Sequence, residues 1–78
     1  MKLGAQPDGG KHPAPLNVRL AVEPAEFAIR YTLDGMVPVV YKQPIEFAKP
    51  GLYEIRFRGT DAQGRAMTPA ISRLYDVR

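Results

Sequence analysis

The sequence predicts a small all-β domain, a sandwich or barrel of six or seven short strands. Three observations predict it. Apolar residues recur at every second position over several segments, the spacing of half-buried strands. Proline and glycine turn signals separate those segments at short intervals. No window of ten or more residues shows helical spacing. A chain of 78 residues makes one domain. At that size folding buries only roughly 60–65% of the unfolded chain's surface, enough for one small core and little else.

Residues 1–15 read as a flexible tail or linker, and residues 16–78 as the domain. Gly4, Pro7, Gly9, Gly10, Pro13 and Pro15 punctuate the first segment, which shows neither helical nor strand periodicity. The proline spacing favours an extended arm. The single histidine, His12, lies there and receives no role.

From Leu16 the pattern becomes period two. Leu16, Val18, Leu20 and Val22 alternate with Asn17, Arg19 and Ala21 until Glu23-Pro24 breaks the run. Phe27, Ile29, Tyr31 and Leu33 form the clearest strand, ended by the turn dipeptide Asp34-Gly35. Val39–Lys42 and Ile45–Phe47 are short strands whose flanking prolines place them at edges. After the Lys49-Pro50-Gly51 turn, Tyr53, Ile55 and Phe57 point inward while Glu54, Arg56 and Arg58 point outward. Thr60–Arg65 is a loop with Gly64 at positive φ, and Ile71, Tyr75 and Val77 supply a last strand. Arg73 has the inward parity of Ile71 and Tyr75, so either a bulge re-aims it or Leu74 is the core residue.

Composition removes several function classes. With no cysteine there is no disulfide framework and no thiolate metal or redox chemistry. No stretch approaches the ~20 apolar residues of a membrane-spanning helix, and Met1–Gly10 has no apolar signal-peptide core. The net charge is +3, but the basic residues are interspersed with acids along the strands. A nucleic-acid or anionic-membrane surface needs them clustered, so neither partner is expected.

The segment Ile29-Arg30-Tyr31-Thr32-Leu33-Asp34-Gly35, followed by Pro38 and by Tyr41-Lys42-Gln43-Pro44-Ile45, resembles the C-terminal domains of chitobiases and β-hexosaminidases and related fibronectin-III-associated modules. An I-x-Y-T-x-D-G motif, a proline and a Y-x-x-P-I segment mark that family. The order continues with the alternating strand Tyr53–Phe57, the D-x-x-G loop Asp61–Gly64 and a closing strand Ile71–Val77. Met36, Val37 and Val39 depart from it, standing where the family carries small polar and acidic residues and a threonine.

The resemblance covers residues 16–78 and implies an immunoglobulin-like or fibronectin-III-like antiparallel sandwich. It further implies a non-catalytic accessory module of a secreted or periplasmic glycoside hydrolase, packed in cis against the catalytic domain. An exported parent then carries its signal upstream of Met1. In such a sandwich Tyr31 fills core, Asp34 fixes a turn by bonding downstream backbone, and Tyr53 has the position of a tyrosine corner.

The residues themselves offer no catalytic, cofactor or metal site. Glycoside hydrolysis needs two carboxyls converging at roughly 5–9.5 Å, whereas the eight here fall at turns, in the tail or on outward positions. Ser72 and His12 make no triad, and Asp61-x-x-Gly64 lacks the carboxylate density of a calcium loop. Carbohydrate binding is the alternative function, with Tyr41 and Phe47 as the aromatics able to face outward on short edge strands. Protein interaction or adhesion through an edge strand is a third.

Overall fold

A computed structural model describes residues 2–34 and 36–78. Eight strands occur in them and no helix: β1 Lys2–Gln6, β2 Gly10–His12, β3 Leu16–Glu23, β4 Ala28–Leu33, β5 Val39–Val40, β6 Ile45–Phe47, β7 Gly51–Thr60 and β8 Ile71–Val77. They form a three-stranded sheet in the order β1-β3-β6 and a five-stranded sheet in the order β2-β8-β7-β4-β5. The all-β sandwich is as the alternation requires. Every ladder is antiparallel except that of β2 with β8, which is parallel.

The period-two pattern sets which face each strand buries. Leu16, Val18 and Leu20 of β3 with Ile45 and Phe47 of β6 give one wall of the core. Ile29 of β4, Ile55 and Phe57 of β7, and Tyr75 and Val77 of β8 give the other. Tyr31 and Leu33 pack partly buried against this cluster. Phe27 is the exception to the expected strand: it closes a turn, its N–H donating to the Pro24 carbonyl at 3.2 Å, and β4 starts one residue later.

Residues 2–12 are not a tail. Lys2–Gln6 pairs along its whole length with Arg19–Glu23, and Gly10–His12 runs beside Tyr75–Val77. Leu3 and Ala5 pack against the core, the Tyr75 hydroxyl donates to the Pro7 carbonyl at 2.5 Å, and His12 Nε2 meets the Gly9 carbonyl at 2.7 Å. The segment lacks a strand signature because these are edge strands. Each gains its order from ladder bonds to a stronger neighbour, which need no particular side chains.

The last strand contains no bulge. Ile55 faces Arg73 and Tyr53 faces Tyr75 in unbroken register, so Arg73 does take the inward parity. Its guanidinium pairs with Asp8, a partner supplied by the β1–β2 connection. Leu74 is solvent-facing, 67% exposed.

Candidate functional site

The motif residues occupy turns and core. Asp34 takes φ 44°, the left-handed conformation that asparagine and aspartate tolerate. The Met36 N–H closes the turn on the Leu33 carbonyl at 3.0 Å. The other half of that dipeptide, Gly35, lies outside the described residues. Tyr31 meets Tyr41 edge to face at a centroid distance of 6.3 Å. Tyr53 forms the tyrosine corner, its hydroxyl donating to the Lys49 carbonyl four residues back at 2.7 Å.

The Asp61–Arg65 loop is a closed electrostatic unit. Asp61 Oδ1 accepts from the Gln63 and Arg65 amides at 3.0 and 2.8 Å, and Oδ2 pairs with Arg65 Nε at 2.8 Å. The Arg65 amide bond, joined by the Arg65 side chain, holds the Asp61 carboxyl below its ordinary range. A carboxyl whose pKa is lowered by folding adds its support above the unfolded value and loses it as pH falls through the folded one. The Gln63 and Arg65 amide resonances are therefore expected to move together on acidification, with a midpoint below the ordinary aspartate value of about 4. A midpoint at or above that value contradicts the loop as described. Tyr75 shifts the opposite way: burial pushes its phenol up.

The two aromatics that were candidates for an outward face separate. Phe47 is 4% exposed and its ring stacks on Tyr53 at 4.2 Å, so it presents no face to a sugar. It turns inward because β6 is the third strand of its sheet and must close the core beside Leu16. Tyr41 is half-buried and lines an open groove of about 640 Å³ with Gln6, Asp8 and Arg19. Its register is set by the N–H bond to the Ile29 carbonyl at 2.8 Å. Among the described residues no group of three or more His, Cys, Asp or Glu side chains converges to hold a metal.

The β5 edge of the five-stranded sheet is apolar. From the turn into β5, Met36, Val37, Val39 and Val40 are 38, 80, 40 and 42% exposed, and β5 has β4 on one side only. An edge this apolar exposes unpaired backbone groups beside greasy side chains, the combination that natural sheets cover or interrupt with charge. The departures from the family motif noted in the sequence, Met36, Val37 and Val39, are three of these four residues.

Residues 7–72 match the model of the family described as the chitobiase/beta-hexosaminidase C-terminal domain. No curated protein and no solved structure matches the chain significantly.

Proposed function

This chain belongs to the chitobiase/β-hexosaminidase C-terminal domain family, and from that membership we propose that it is a non-catalytic accessory module of a larger secreted or periplasmic glycoside hydrolase, docked in cis on the catalytic domain. The observation that carries the docking is the uncovered apolar edge at Met36–Val40. A catalytic domain on the same polypeptide is present at high effective concentration, so even a modest apolar contact stays closed. Burying that edge removes both its apolar surface and its capacity to pair with other chains.

The test uses the parent polypeptide carrying Val37→Asp and Val40→Asp together. Both side chains are solvent-facing in the domain, so the domain itself should change by no more than about 0.5 kcal/mol. The parent should melt several degrees lower, since a loss of about 1 kcal/mol shifts a domain of roughly 150–250 residues by ~2–4 °C. An unchanged parent melting temperature, or turnover of aryl glycosides by the present chain alone, contradicts the reading.

A second reading, glycan binding, is favoured by one observation: Tyr41 borders a groove also lined by the polar side chains Gln6, Asp8 and Arg19. Saturable binding of chitin oligomers by the present chain, abolished by Tyr41→Ala, would place that reading first.

A further inference from the structure

Three arginines of the five-stranded sheet meet on its outer face. Arg56 and Arg58 alternate along β7, and Arg30 of β4 lies directly across the ladder from Arg58. Like charges directly opposite one another weaken a strand pair. The three ion pairs among the described residues, Arg65 with Asp61, Arg73 with Asp8 and Arg78 with Asp76, include none of these arginines. All three line a depression of about 420 Å³ into which no carboxylate projects. That volume falls within the roughly 300–1,000 Å³ of small-ligand sites.

Two further features make the depression more than a charged surface. Thr60, on its lining, is 1% exposed, and its Oγ1 has no hydrogen-bond partner. Buried hydroxyls are normally satisfied, so this enclosed one is an unpaired polar group in the wall of the depression. The rim is also shaped to hold a guanidinium. Gly64 stands at φ +84°, and a Cβ there would come within 2.6 Å of Arg30 Nη2. A side chain at this position would push the Arg30 guanidinium off the loop. The one carboxylate of that loop, Asp61, is occupied by Arg65 and the loop amides.

We propose that this depression binds the oxyanion of a small acidic ligand, a carboxylate, phosphate or sulfate. Arg30 and Arg58 supply paired guanidinium forks, and Arg56 a third positive charge. Guanidinium groups match such oxyanions with two parallel N–H bonds each, and the bound anion relieves the repulsion across the ladder. The site needs no catalytic domain and stands independently of the docking proposed above.

The test titrates the ¹⁵N-labelled chain with glucuronate, glucose 6-phosphate and sodium sulfate at fixed ionic strength, with glucose and sodium chloride as controls. At least one oxyanion should give saturable shifts centred on the amides of Arg30, Arg58, Thr60 and Gly64, and the tightest of the three identifies the anionic group. Arg30→Gln and Arg58→Gln should each weaken binding about tenfold, the loss of one charged hydrogen-bonding partner. Lys11→Gln, on a distant strand, should leave it unchanged. Arg58→Lys keeps the charge and the fold while removing the fork, and should also weaken binding. Shifts that grow linearly, spread over Arg19, Lys42 and Lys49, persist in these variants, or appear equally with chloride overturn the proposal.

Discussion

A chain beginning at Pro13 is expected to lose about 3–5 kcal/mol of stability. The deletion takes away β1 and β2, and with them the cover that Leu3 and Ala5 give to one end of the core. It strips Leu20 and Val22 of their neighbours, because Ala5 faces Leu20 and Leu3 faces Val22 across the ladder. Losing roughly 100–150 Å² of apolar burial on these groups costs about 2.5–4 kcal/mol. The Tyr75 hydroxyl also loses the Pro7 carbonyl, and Arg73 loses Asp8. The buried hydroxyl adds about 1 kcal/mol, while the exposed ion pair adds little. Urea denaturation followed by circular dichroism measures the difference. A truncated chain within about 0.5 kcal/mol of the full one would return residues 2–12 to the status of a linker.

Phe57→Ala is expected to cost about 3–5 kcal/mol, the usual penalty for emptying a phenylalanine site in a packed core. Phe57 is 1% exposed, between Ile55 and Gly59 on the longest strand, and faces Tyr31 on β4 and Ile71 on β8. A domain of this length has roughly 4–12 kcal/mol in total, so the substitution removes a large part of it. The informative comparison is Leu52→Ala on the same strand. Leu52 is equally apolar but 80% exposed, and its truncation should fall within about 0.5 kcal/mol of the unaltered chain. Equal losses at the two positions would mean that the inward and outward faces of β7 have been misassigned.

The two variants sit on opposite sides of what the chain reveals by itself. Ile55 and Phe57 announce their burial through alternation with Glu54, Arg56 and Arg58, since a pleated strand has only two faces and one must be wet. The turn at Asp34, the positive φ of Gly64 and the tyrosine corner at Tyr53 were legible for a similar reason. Each is fixed by a few neighbouring residues whose own chemistry favours it. Tyr41, just past β5, and Phe47, in β6, were ambiguous because strands of two or three residues have too few positions to display a period. Sheet membership resolved them, burying Phe47 beside Tyr53 and leaving Tyr41 on a groove.

Residue types and their spacing thus determined the all-β class, the six strands between Leu16 and Val77, and the inward faces of β3, β4 and β7, while the face of β8 around Arg73 was left to the structure. These depend on interactions within one strand or turn. Only the tertiary structure decided that residues 2–12 are strands, that Asp8 waits for Arg73 and that Arg30 stands across from Arg58. Each of those depends on register between segments far apart in the chain. Register is settled by the packing of two whole sheets against one another, and no local run of residues encodes it.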